Sequence, residues 1–251
     1  MSSHTRATHV VCLGDSITRA QISTDYVQML RDRTAARPHP YTFTNAGADG
    51  DLAYNARQRL DTVLAGRPDV VTVLIGTNDA NASITEKNAQ MMTKMKKLPV
   101  RPTIDWYREN LAAIAERLTK ETDARVAFLS LPVLGQHLDS LPVLRSGEYS
   151  QVVKETAAAY GAAYLPLYER QLEHLRAGSH TPGIAFRDGK ALAARGAMQY
   201  FMLRRPLDGI SRRRGLELTT DFVHQNTRGA TAIADLIEDF LGKDLAGNGT
   251  G

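Results

Sequence analysis

Asp221-Phe222-Val223-His224 places a carboxylate three residues before an imidazole, and Gly14-Asp15-Ser16-Ile17-Thr18 places a hydroxyl at the end of an apolar run. Those residue types together can perform acyl transfer. A serine hydroxyl becomes a nucleophile when a histidine takes its proton, and the histidine needs a carboxylate on its other ring nitrogen to orient it. Of the seven histidines, only His224 has an aspartate at this spacing. Taken singly, Asp221 and His224 would also suit a surface ion pair, and Ser16 a helix N-cap. Two further motifs could supply hydrogen-bond donors to a developing oxyanion. In Gly76-Thr77-Asn78-Asp79 the donor would be the Asn78 amide, which alone would equally fit an Asx-turn. In Asn45-Ala46-Gly47-Ala48-Asp49-Gly50 it would be a glycine N–H, since glycine lets backbone approach a reacting carbonyl closely.

The elements that must hold these motifs read as alternating strands and helices. Short apolar runs at His9–Leu13, Tyr41–Asn45, Val70–Ile75, Arg125–Leu129 and Ala162–Pro166 predict strands. Helical spacing predicts helices over Ile17–Ala35, Thr103–Thr119 and Arg228–Leu241, the last stopped by Gly242 and followed by a frayed tail, Lys243–Gly251. Alternation of this kind makes a mainly parallel sheet covered on both faces. The motifs follow strands one, two and three and precede the last helix, so all four converge on the carboxyl edge of the sheet. Two connections are longer than ordinary ones: Ala80–Pro102, with Met91, Met92 and Met95 among lysines, and Glu169–Thr220, with Tyr200-Phe201-Met202-Leu203 and Arg204-Arg205. Both are expected as insertions over that edge. Met91, Met95, Tyr200, Phe201, Arg204 and Arg205 are the residues expected to line a lid, although packing as extra helices would serve as well.

At this point the chain resembles the SGNH hydrolases, the GDSL esterase/lipase family. Gly14-Asp15-Ser16 is similar to the family's first block, Asn45–Gly50 to its second, Gly76-Thr77-Asn78-Asp79 to its third and Asp221-x-x-His224 to its last. The likeness spans about residues 9–241, outside the two insertions, and the first block reads Gly-Asp-Ser-Ile where the family name has Gly-Asp-Ser-Leu. The resemblance implies a flavodoxin-like three-layer α/β/α sandwich, with a five-stranded parallel sheet of order 2-1-3-4-5. It implies Ser16 as nucleophile, His224 as general base and then acid, and Asp221 as the orienting carboxylate. The oxyanion hole would comprise the Ser16 N–H, the Gly50 N–H and the Asn78 amide, with Gly47 an alternative to Gly50. The chemistry so implied is ester hydrolysis through an acyl-serine and needs neither cofactor nor metal.

With 251 residues, 43% hydrophobic and 23% charged, the chain has the balance of one folded domain rather than of a disordered or fibrous protein. The net charge of +4 is concentrated. Eight basic and two acidic residues fall between Arg187 and Arg214, leaving the remainder slightly acidic. A local basic segment without a recognition motif argues against a nucleic-acid partner and suits a solvated face or an anion-attracting rim. His174 and His180, six apart with no cysteine near, do not form a zinc pattern. The only apolar run before Gly14 is Val10–Leu13, shorter than a signal core or membrane span, so the expected location is the cytoplasm. Cys12, the single cysteine, lies in that run and is expected to be a small buried hydrophobe. The expected partner is a small-molecule acyl ester of short or medium chain. The same triad could instead transfer an acyl group to an alcohol or remove an O-acetyl group from a sugar, and the fold could serve as a binding module.

Overall fold

The computed structural model describes residues 6–178 and 204–247, with Ile184, Phe186, Met198, Tyr200 and Met202 between them. Five parallel strands, β1 (Thr8–Gly14), β2 (Tyr41–Gly47), β3 (Val70–Leu74), β4 (Arg125–Leu129) and β5 (Ala163–Leu165), form one sheet of order β2-β1-β3-β4-β5. Its register sets Gly14 beside Gly47 on one side and Leu74 on the other, so the ends of β1, β2 and β3 lie level. Successive side chains of a strand point to opposite faces, and each face has its own core. Val11 and Leu13 join Val71, Val73 and Phe128 against one helical layer, while Val10 and Cys12 join Val70, Leu74 and Leu129 against the other.

The first layer comprises α3 (Ala53–Gln58), α4 (Leu60–Ala65), α7 (Ile104–Glu121) and α8 (Leu141–Ala159). On α7 the buried Tyr107, Leu111, Ile114, Ala115 and Leu118 make one stripe, and Thr103 caps the helix by accepting from Trp106 N at 3.1 Å. The second layer comprises α2 (Tyr26–Thr34), α9 (Leu167–Ala177) and the last helix, α11 (Thr227–Gly247), whose Ile233, Ala234 and Ile237 are fully buried. Gly242 does not stop α11. Among the described residues nothing lies within 4 Å of where its Cβ would stand, and a helix tolerates one glycine for about 1 kcal/mol.

The helix expected over Ile17–Ala35 is two helices. After one turn, α1 (Ser16–Arg19) ends where Ala20 turns left-handed at φ 64° and donates to Ser16 O. α2 begins afresh under an Asp25 cap. The break frees the stretch between them for another partner: Ser23 Oγ and Thr24 N both donate to Gln225 O, and Gln225 N donates back to Ser23 Oγ. The polar segment that interrupts the helix therefore ties β1's turn to the loop carrying His224.

The first insertion forms α5 (Thr77–Ala82) and α6 (Glu86–Lys96), docked through a small core of Leu52, Ala82, Met92 and Leu98. The second opens on α9, already part of the second layer, and closes on α10 (Leu207–Arg214). Phe201, His180 and the basic residues Arg187, Lys190 and Arg195 lie outside the described residues. Among the described residues no helix is long and apolar enough to cross a membrane.

Candidate active site

Ser16 opens α1 directly beyond β1, where Asp15 turns the chain and accepts from Ile17 N at 2.9 Å. The half-buried Ser16 thus stands at the carboxyl edge of the sheet, with its own N–H in the first turn of a helix and free of an intrahelical acceptor. His224 reaches it from the loop before α11, Nε2 lying 3.1 Å from Ser16 Oγ across 208 residues of sequence. On the other side of the ring, Nδ1 lies 2.8 Å from Asp221 Oδ2. Asp221 Oδ1 accepts from His224 N at 2.8 Å and Val223 N at 3.1 Å, so the turn that carries the imidazole also fastens the carboxylate.

That turn is built from both sides. Thr220 N donates to His224 O at 2.8 Å, and the buried Arg214 donates from Nη1 to Thr220 O at 2.6 Å. Phe222 sits between them at φ 74°, a left-handed conformation that costs a bulky residue about 1–3 kcal/mol. Its ring is buried against Phe186 at a centroid distance of 5.3 Å, and its carbonyl accepts from Gly135 N, so the surroundings hold the strained turn. Neither Phe222 nor Arg214 stood out in sequence, since a left-handed phenylalanine and an arginine folded inward carry no local signature.

Electrostatically the pair is poised for proton transfer. Burial works against the charged imidazole, but the Asp221 charge and hydrogen bond outweigh it, with Asp15 and Asp49 adding, and His224 is held above its usual 6.5. Burial likewise works against the Asp221 carboxylate, yet the charge of His224 and the hydrogen bonds from its ring, its N–H and Val223 keep it below 3.8. Two of the other buried aspartates, Asp15 and Asp79, behave oppositely. Burial pushes Asp15 up to about 6 and Asp79 up to about 7.

Of the oxyanion candidates, Gly47 is occupied, its N–H donating to Asn45 Oδ1 at 3.0 Å. Among the described residues the Gly50 N–H has no acceptor, and Gly50 holds φ 68°, a conformation that glycine adopts without strain. Asn78 lies in the first turn of α5 just beyond β3, where Gly76 turns the chain at φ 122°. Its Nδ2 donates to Asp51 O at 3.0 Å and lies 3.5 Å from Asp15 Oδ2. Of the two amide hydrogens one is held by Asp51 O, and the other, in only a long contact with Asp15, can serve a reacting oxygen.

The lid residues separate. Met95 is 48% exposed, and its methyl lies 3.7 Å from where a Cβ on Gly50 would be, at the site's edge. Met91 instead packs with Tyr54 and Trp106 in the small core under α6. Tyr200, Arg204, Arg205 and Pro206 line a different surface cavity of about 390 Å³, to which neither Ser16 nor His224 contributes. Sequence reasoning did not pick out Asp51, Arg59 or Lys96. Asp51 Oδ2 accepts from Arg59 Nε at 2.8 Å and Oδ1 from Lys96 Nζ at 2.9 Å, directly beside Gly50.

A parallel 2-1-3-4-5 sheet carrying a serine turn after β1 and an Asp-x-x-His loop before the last helix defines a class, the ester hydrolases built on the flavodoxin-like α/β/α sandwich. The chain belongs to the GDSL-like Lipase/Acylhydrolase family, whose model matches residues 12–232, and it is a hydrolase acting on esters. No curated protein sequence matches the chain. Solved structures share the fold. The acetyl xylan esterase AlAXEase is 18% identical with a TM-score of 0.65, over 92% of this chain and 98% of its own. The acetylxylan esterase Axe2 from Geobacillus stearothermophilus is 16% identical with a TM-score of 0.66, over 93% and 94%. A lipase/acylhydrolase from Enterococcus faecalis is 20% identical with a TM-score of 0.61, over 94% and 96%.

Proposed function

We propose that the chain hydrolyses carboxylic esters of small or medium acyl chain through a covalent acyl-serine. The carrying observation is the continuous relay from Asp221 Oδ2 through the two ring nitrogens of His224 to Ser16 Oγ, at 2.8 Å and 3.1 Å. His224 Nε2 takes the Ser16 proton as Oγ forms its bond to the acyl carbon. The carbonyl oxygen becomes an oxyanion and meets the N–H groups of Ser16 and Gly50 and the Asn78 amide. As the C–O bond to the alcohol breaks, the leaving oxygen takes the proton from Nε2. Water then repeats the cycle on the acyl-enzyme and releases the acid.

The rim of the site supports a polar alcohol portion. Arg19 and Asp49 form a half-exposed ion pair at 3.3 Å, and the Lys96 ammonium lies close to Gly50. A hydrated leaving group suits such a rim better than a lipid surface. A second reading, removal of an O-acetyl group from a sugar, is favoured by the acetyl xylan esterases among the solved structures of like fold.

The test is hydrolysis of p-nitrophenyl acetate, butyrate and octanoate by the chain beside Ser16→Ala, with fluorophosphonate labelling read by intact mass. Turnover falling from acetate to octanoate, and one adduct, both lost in the variant, are expected. Turnover that survives Ser16→Ala would overturn the acyl-serine, and turnover confined to octanoate would overturn the chain-length reading.

A further inference from the structure

The oxyanion donors proposed above lie in three different segments, and one buried residue, Asp51, links them through its backbone and its two cation partners. Asp51, with its side chain 7% exposed, follows Gly50 directly. Its backbone carbonyl orients the Asn78 amide at 3.0 Å, and its N–H closes the loop onto Ala48 O at 3.3 Å. Its carboxylate takes one cation on each oxygen. Arg59, on Oδ2, also donates from Nη2 to Gly14 O at 2.8 Å, which anchors the turn before Ser16. Lys96, on Oδ1, also donates to Asp49 O at 2.9 Å, so its ammonium holds the residues on both sides of Gly50.

Lys96 is the last residue of α6, in the first insertion, and that helix is already fixed to the loop by Met92 and Leu98 packing on Leu52. Its side chain is 19% exposed, and Nζ lies 3.9 Å from where a Cβ on Gly50 would stand. A lysine stem ending in a loop's carbonyl and carboxylate fixes the direction in which the intervening N–H points. We infer that Lys96 is a positioning residue: the ammonium of the insertion helix sets the Gly50 N–H in the oxyanion hole, so the insertion is part of the hole's framework and not only a cover. The inference rests on the reading of Gly50 as a donor in an acyl-serine mechanism.

Both hydrogen bonds of Lys96 go to the residues flanking Gly50, so its loss should reach turnover through Gly50. In Lys96→Met the stem's packing is kept and Asp51 still has Arg59, so the carboxylate is not orphaned. The expected result with p-nitrophenyl acetate is a fall in kcat of about 10–100-fold, less than the 10²–10³ for deleting a donor outright, with KM within about threefold. Lys96→Cys treated with 2-bromoethylamine provides the positive arm. The thiolate displaces bromide, and the resulting side chain has the length and charge of lysine. Cys12, the only other thiol, is buried with its pKa pushed up to about 11 and stays unreacted. Aminoethylation should restore at least half of the wild-type kcat, whereas treated wild type is unchanged. A kcat for Lys96→Met within threefold of wild type, a loss carried by KM, or no recovery on aminoethylation would each overturn the assignment. If Ser16→Ala is inactive while Lys96→Met is unaffected, only this inference fails; if Ser16→Ala is active, the acyl-serine reading fails first.

Discussion

Replacing Asp79 by asparagine removes a buried carboxylate while keeping an acceptor for the Ala53 N–H, which now meets Asp79 Oδ2 at 3.1 Å. Asp79 is 1% exposed, and burial pushes its pKa from 3.8 up to about 7, against the hydrogen bonds that favour its charged form. A carboxyl whose folded pKa is raised contributes stability that is fully present below 3.8 and lost as pH rises through the folded value. Between pH 5 and pH 8 about two units of that rise are traversed, and at 1.36 kcal/mol per unit Asp79 withdraws on the order of 3 kcal/mol from the wild type. Asparagine does not titrate, and its extra buried N–H costs about 1 kcal/mol at both pH values. The variant should therefore match wild type near pH 5 and exceed it by about 3 kcal/mol at pH 8. Equilibrium urea unfolding followed by circular dichroism, at both pH values and for both proteins, measures the difference. All other groups titrate in both chains, so comparing the two proteins isolates this one. A stability difference equal at both pH values within about 0.5 kcal/mol would refute burial as the cause, because Asp79 would then be ionised already at pH 5.

Asn78→Ala should lower kcat for p-nitrophenyl acetate by about 10²–10³ with KM nearly constant; a loss carried by KM would assign Asn78 to ground-state binding instead. Because the proposed mechanism needs neutral His224 and its pKa is raised, kcat/KM should fall as pH drops through a value above 6.5. Asp221→Asn should move that limb to lower pH and reduce kcat by about 10⁴, and a limb that stays put would separate His224's titration from Asp221. Gly76→Ala combines φ 122° with a Cβ 2.6 Å from the Tyr107 ring, so strain and overpacking should cost about 2–5 kcal/mol. A thermal midpoint within about 2 °C of wild type would show that the turn yields freely.

The sheet and both faces of its core were legible because fully buried parallel strands read as apolar runs, and α7 and α11 as single stripes. α8 was not, for a physical reason. Its Ser146 and Ser150 accept from Leu134 N and Leu131 N, satisfying the backbone of the loop after β4, and polar residues on a buried face erase the helical period. The break after Arg19 was hidden by Ala20, an alanine in a left-handed turn, where nothing local forecasts one. In the site, the motifs of Ser16, Asn78 and His224 were legible because the turns that carry them are short and polar. The Asp51 clamp was not, since its cations come from 8 and 45 residues away and only helical phase separates Lys96 from Lys94 and Lys97.

Three aspartates around the serine, Asp221, Asp79 and Asp15, are at most 1% exposed, yet they shift in different directions. Asp221 accepts from two backbone N–H groups and an imidazole, and stays charged despite its burial. Asp79 accepts from the N–H groups of Ala53 and of Asp79 itself, and Asp15 from the Ile17 N–H with Asn78 at the limit of reach, and burial displaces both toward the neutral acid. Burial is nearly equal at 1%, 1% and 0%, so solvent exposure cannot account for the difference. The charge and direct ring hydrogen bond of the adjacent His224 can. Their opposite shifts favour a negative charge behind His224, where it holds a proton ready for the leaving group. They disfavour negative charge beneath Ser16 and Asn78, where in the proposed mechanism it would repel the oxyanion. Asp15 and Asp79 instead fasten backbone, one capping the turn of the nucleophile and the other joining β3's turn to the start of α3. A further donor given to Asp79 should therefore lower its pKa, keep it charged to lower pH beneath the proposed hole and slow turnover there without changing the triad's distances.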